Sequence, residues 1–132
     1  MLADFAVILL AAHHLADYPL QTDHQAAHKA DRSAAGWRAN LAHSATHVLV
    51  SAALVMTLGA LLQLHIGAAG LAAALAWIGA SHSVIDRRWP VARWMAAARQ
   101  TGFAQHGGAA HVDQAFHLAL GLLPAAVLLT RL

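Results

Sequence analysis

Apolar residues run almost unbroken over four stretches of this chain, 2–20, 40–64, 67–86 and 110–132. Each is about 19 to 25 residues long, and at 1.5 Å rise per residue that is enough to cross a hydrocarbon core of roughly 30 Å. Four transmembrane helices are predicted. The connections differ in kind: a long polar one over 21–39, a very short one over 65–67 and a long one over 87–109. Two long loops on one side and a short turn on the other predict an antiparallel, up-down-up-down bundle, an all-α membrane fold in one domain covering 1–132. The first stretch reads as a retained helix rather than a cleaved leader: Asp4 stands where a basic n-region belongs, and the stretch ends in HHLADYPLQ instead of a small-residue cleavage site. Within the second long loop, WPVARWMAAARQTGF opens with a proline in its first turn and mixes Trp89, Trp94, Met95 and Phe103 with Arg93 and Arg99. That pattern suits a short interfacial helix in the headgroup layer, and a plain loop with an aromatic anchor fits nearly as well.

Composition agrees with lipid as the main solvent. Hydrophobic residues make up 59% of the chain and charged residues only 11%, against roughly 25% charged in soluble domains, and the mean hydropathy is +0.53. A soluble bundle could not cover its outer faces with so few polar groups. Seven of the eight basic residues, Lys29, Arg32, Arg38, Arg87, Arg88, Arg93 and Arg99, fall on the long-loop side, and Arg131 alone falls on the other. The positive-inside rule therefore makes the long loops cytoplasmic and both termini external, in a multi-pass membrane protein. A formal charge of +2 gives no case for nucleic acid. The absence of cysteine excludes thiolate zinc sites and iron–sulfur clusters.

What changes this picture is histidine, eleven residues in a chain built mainly of Ala, Leu and Val. The polar residues inside the apolar stretches recur as His13 and Asp17, His43 and His47, His82 and Asp86, and Asp113 and His117. Every pair is spaced i, i+4, which puts both side chains on one helix face. The pairs lie near the C-terminal ends of the first and third helices and near the N-terminal ends of the second and fourth, all on one side of an antiparallel bundle, on the order of 3 to 10 Å deep. Five histidines and three aspartates form an N/O donor set suited to zinc, iron or manganese, and eight ligands are enough for two divalent ions. His14 competes with His13, being i, i+3 from Asp17. Ser44, Thr46, Ser81, Ser83 and Gln114 lie beside these ligands as candidate supporting partners. A lone pair of this kind is as well read as a helix cap or an interfacial polar contact, and the whole set as a metal-free polar network. Four pairs at one depth favour a metal. His24, His28, His106 and His111 belong to the loop side, His111 being the one best placed to approach.

HHLADYPLQTD, then HSATH, then SHSVID, then DQAFH, in that order over almost the whole chain, resemble the domain-of-unknown-function 3307 family of small bacterial integral membrane proteins. QTDHQAAHK after the first stretch resembles the actinobacterial branch, which implies that Gln21, Asp23 and Lys29 belong to a functional surface. The resemblance implies a multi-pass protein of the bacterial plasma membrane with kinship to metal-dependent hydrolases and brings no substrate with it. The expectation is a metal-dependent hydrolase at the cytoplasmic membrane surface, acting on a lipid headgroup or a small soluble molecule, with an aspartate or His14 as general base. The alternative is a non-catalytic metal-binding bundle: a structural clamp, an ion-binding or transport protein, or a membrane accessory protein of a mobile element. Shallow ligands and a single mid-span proline, Pro124, weigh against transport. Membrane lipid is the expected partner, and assembly into an oligomer is left open.

Overall fold

Local signals set where the helices begin and end. The computed structural model describes Met1–Leu132 and is all-helical: α1 (Leu2–Asp17), α2 (Asp23–His28), α3 (Ala34–Leu61), α4 (Ala68–Ile85), α5 (Trp89–Ala97) and a long α6 (Thr101–Arg131). Pro19 has no N–H to offer the Leu15 carbonyl four residues back, so regular bonding ends and α1 stops at Asp17, short of the expected Leu20; the Leu20 N–H takes that carbonyl instead, at 3.2 Å. The expected 21–39 loop is largely structured. Thr22 and Gln25 form a reciprocal capping box that starts α2. Ser33 Oγ accepts from the Gly36 N–H, 3.0 Å away, and starts α3 six residues before the expected Asn40. Gly36 is required there, because a Cβ would collide with the Asp31 carbonyl. In the second loop Arg88, in the left-handed region at φ 62°, turns the chain into α5, whose first turn carries Pro90. Of the stretch WPVARWMAAARQTGF, expected as a short helix or a plain loop, Trp89–Ala97 is helical.

The last helix departs most from a regular α-helix. It breaks at His106 and Gly107, with Gly107 at φ 87°, and its bonding widens to i→i+5 over Ala104–Gly108 and again over His117–Leu122. The second widening precedes Pro124, which has no N–H to offer the Leu120 carbonyl four residues back. Trp77 of α4 fills that place: its indole Nε1 donates to Leu120 O at 2.9 Å.

α1 packs on α3, α3 on α4, α4 on α6, and α6 back on α1. One end of this arrangement is an apolar core of Phe5, Ile8, Leu9, Val55, Ala74, Ile78, Leu122, Ala125, Ala126 and Leu129. At the other end Ile85, Val91 and Met95 seat α5 on the end of α4 and against α6. Between α3 and α4, fully buried Asn40 donates through Nδ2 to Ser83 O at 3.1 Å and accepts from Ser83 Oγ. Outward faces are apolar: Val7, Leu10, Leu41, Leu49, Met56, Trp77 and Leu120 are exposed. Three helices, α3, α4 and α6, are long and apolar enough to cross a membrane. α1, at 16 residues, is shorter.

Candidate metal centre

The His/Asp cluster fills the space between the two apolar clusters. α1 and α4 deliver Asp17 and Asp86 from their C-terminal ends, while α3 delivers His43 and His47 from its N-terminal half and α6 delivers His117 from its middle. His13, Asp17, His43, His47, His82, Asp86 and His117 are all buried. Asp17 Oδ1 lies 3.2 Å from Nε2 of His43, 3.2 Å from Nε2 of His47 and 3.9 Å from Nε2 of His82. Its Oδ2 is 3.1 Å from His13 Nε2 and accepts from Gln114 Nε2 at 3.3 Å. Asp86 Oδ2 lies 3.2 Å from His82 Nε2, 3.4 Å from His43 Nε2 and 2.9 Å from Lys29 Nζ; its Oδ1 is 3.9 Å from His117 Nε2. Five imidazole rings are in mutual contact, with centroids as close as 3.5 Å for His47 and His82.

Two sets of side chains can each hold an ion: Asp17, His43, His47 and His82, and His82, Asp86 and His117, with donor atoms within 4.8 Å of one another in each set. The sets share His82, whose single Nε2 can serve only one ion at a time. A pair of ions would therefore divide the ligands as Asp17, His43 and His47 for one and His82, Asp86 and His117 for the other.

Hydrogen-bond chemistry shows that a cation fits. His43 Nε2 stands 3.2 Å from Lys29 Nζ, which can only donate, and 3.2 Å from Asp17 Oδ1, which as a carboxylate can only accept. One ring nitrogen cannot accept from the first and donate to the second. Further in, His82 Nε2, His117 Nε2 and Asp86 Oδ2 are buried and lack an aligned hydrogen bond. Asp86 Oδ2 is near Lys29 and His82 in distance, yet neither approach has hydrogen-bond alignment. Unsatisfied buried polar atoms are costly, and these three belong to the second set. Ligands 2.0–2.2 Å from a tetrahedral ion stand about 3.4 Å apart, and the separations of 3.2 to 3.9 Å between Asp17 Oδ1 or Asp86 Oδ2 and their histidines match that spacing. His117 also has the outer contact typical of a ligand, its Nδ1–H donating to Asp113 O at 3.0 Å.

Of the eight expected ligands, six fall in the two sets and two do not. His13 is inside the cluster but spends Nε2 on Asp17 and on Gln114 Oε1, 3.2 Å away. Asp113 is only partly buried, its Oδ2 3.4 Å from His117 Nδ1. His14, the competitor of His13, is exposed, bonds Leu10 O on its own helix and stacks on Tyr18. Among the expected supporting residues Gln114 touches the ligands directly. Thr46 and Ser81 bond carbonyls of their own helices, Ser83 bonds Asn40, and the Ser44 hydroxyl is buried without a partner. His111 faces away, stacked on Phe103.

Lys29, pointed to only by the family resemblance, enters the cluster from the end of α2. Arg87 was not anticipated. It is buried and donates to Lys29 O at 2.9 Å and Asp31 O at 2.6 Å, holding the end of α2 over the site.

A cavity of about 620 Å³ opens beside the cluster. Its polar wall includes Gln21, Lys29, Asp86, Arg88 and Asp113, and its apolar wall comes mainly from α5 and the start of α6. Of the residues in the two ligand sets, Asp86 is the one that lines the cavity.

The fold and this cluster define a protein with membrane-type helices and a buried His/Asp centre able to hold a metal ion. No curated protein and no solved structure matches the chain. It belongs to the family described as Protein of unknown function (DUF3307), which matches residues 5–130.

Proposed function

We propose that this chain is a four-pass protein of the bacterial plasma membrane and a metal-dependent hydrolase, its centre at the cytoplasmic surface and both termini outside. The observation that carries the reading is the position of Asp86, which joins ring nitrogens lacking hydrogen-bond partners to an open cavity. A set of three protein ligands beside open space is the pattern of a catalytic site, whereas a closed set of four is that of a structural one. Counting α1 as a span rests on its apolar exposed face and its packing against both α3 and α6; its 16 residues reach about 24 Å, a thin crossing that the flanking residues extend.

His82, Asp86 and His117 would hold a divalent zinc, iron or manganese ion, which when bound would supply Lewis-acid polarisation of a substrate oxygen and activation of water. The chain's own groups supply the rest. Lys29 Nζ, at the cavity wall, holds an anionic oxygen of the substrate and offsets negative charge as it develops. Asp113, partly exposed on the same wall, accepts a proton at its carboxylate. The apolar wall excludes water from one side and suits the hydrophobic part of a lipid or a small amphiphile.

A second reading is favoured by the other set. Asp17, His43, His47 and His82 are buried and do not line the cavity, so an ion there would clamp α1, α3 and α4. One experiment separates the two: metal content and hydrolysis of a panel of phosphate and carboxylate esters by purified wild type and by Asp113→Asn. The hydrolase reading expects Asp113→Asn to keep its metal and lose at least about 100-fold in rate. Metal bound without hydrolysis of any panel member leaves the clamp.

A further inference from the structure

A second groove, of about 440 Å³, lies on the same side of the molecule and is lined by Ala30, Arg32, Trp37, Arg87, Trp89 and Arg93. Three guanidinium groups face it, and no carboxylate pairs with any of them. Asp31, the acid nearest in sequence, is engaged with His28 at 2.8 Å. Two of the three arginines are held in place by aromatic rings: Arg87 lies 4.2 Å from the centre of the Trp37 ring and Arg93 lies 5.3 Å from that of Trp89. Arg87 is fixed further by the carbonyls of Lys29 and Asp31. Three like charges around one small groove repel one another, and an anion between them removes that cost. Guanidinium forks match the oxygen geometry of phosphate.

We propose that this groove binds the phosphate headgroup of an anionic phospholipid. The lipid, rather than a soluble phosphate, is the occupant because the groove walls carry two exposed indoles, Trp37 and Trp89, at the level where the apolar outer surface of α3 begins. Tryptophan collects at that depth, with its ring among headgroups and acyl chains. Juxtamembrane basic clusters attract anionic lipid there. The groove is separate from the metal centre: none of its lining residues belongs to either ligand set, and the proposal stands whether or not the protein is a hydrolase.

The test is native mass spectrometry of the detergent-purified full chain titrated with phosphatidylglycerol, with phosphatidylcholine as the zwitterionic comparison. Arg32→Ala combined with Arg93→Ala removes two of the three charges; neither side chain is buried or makes a hydrogen bond within the fold, so the helices survive. At about fivefold per basic residue, the double variant binds phosphatidylglycerol about 30-fold more weakly than wild type. Arg38→Ala with Arg99→Ala removes the same charge from exposed positions outside the groove and leaves binding within about threefold. Equal losses in the two double variants mean a diffuse basic surface and overturn the proposal, as does equal affinity of wild type for both lipids. Displacement of the lipid by comparable concentrations of glycerol 3-phosphate overturns the choice of a lipid occupant.

Discussion

His82→Ala tests the centre most directly, because that ring is the member common to both sets able to hold an ion. Its Nε2 stands 3.2 Å from Asp86 Oδ2 and 3.9 Å from Asp17 Oδ1. In the metal-free fold, removing the ring loses packing worth about 2–4 kcal/mol. It also removes a buried nitrogen without a hydrogen-bond partner, a relief of about 1–3 kcal/mol. The net cost is therefore on the order of 1 kcal/mol. With metal the balance changes. Wild type at a free metal concentration of about 100 times Kd gains about 2.7 kcal/mol from binding, on the order of 10 °C in melting temperature for a chain of this length. The variant loses a ligand whichever set holds a single ion, and its affinity there falls by more than the 10- to 100-fold typical of an outer partner. Thermal melts in detergent, with chelator and with added zinc, iron or manganese, measure both terms. The two proteins should melt within a few degrees of each other in chelator and separate by about 10 °C in metal. His65→Ala, on the exposed turn between α3 and α4, should follow wild type throughout. A His82→Ala protein that keeps full metal content and the full metal-induced shift refutes the convergence on this ring.

Single cysteines at Ala35 and Ala97 should label from the cytoplasmic side and one at Ala68 from outside in spheroplast assays; the reverse pattern inverts the orientation. Asn40→Ala leaves the Ser83 hydroxyl and carbonyl without their partner in the buried α3–α4 seam and should cost about 1–3 kcal/mol, read as a lowered denaturation midpoint with metal content intact. Trp77→Phe strips the Leu120 carbonyl of its donor and should cost about 1–2 kcal/mol. In a Pro124→Ala background the same change should cost far less, because the substituted residue supplies a backbone N–H, and additive effects of the two substitutions would show that the indole does not serve this carbonyl.

How far the centre could be read from the chain depended on the kind of regularity involved. The i, i+4 spacing of His13 with Asp17, His43 with His47, and His82 with Asp86 lies within regular α-helix, where sequence spacing maps directly onto a face, and these six side chains are together in the structure. The apolar runs marked α3, α4 and α6 as membrane-type helices for the same reason. The ends of helices were read less well. They depend on capping by Ser33 and Thr22 and on the stop at Pro19, signals that a hydropathy pattern does not weigh. Lys29 and Arg87 were least legible. Each reaches its place through a turn rather than a period, and Arg87 is held by backbone carbonyls 56 and 58 residues away, a pairing that only the folded chain creates.

The last helix shows where a single period stops describing which face is inside. In a regular α-helix five residues advance by about 500°, so Leu122 would point about 140° away from His117. Both are buried, the first against the apolar core and the second in the cluster. The i→i+5 bonding over His117–Leu122 absorbs one residue in that turn and brings Leu122 back to the inner side, so that Ala125, Ala126 and Leu129 continue the core beyond it. Up to the start of the widened turn, α6 presents a polar inner face made by Gln114 and His117; downstream its inner face is apolar. A straight helix of this sequence could satisfy the cluster or the core, not both. Pro124 fixes where the change occurs by removing the N–H that regular bonding would need, and Trp77 restores the acceptor left over. One proline and one tryptophan thus couple the seating of the apolar core to the position of His117, a ligand candidate two turns away.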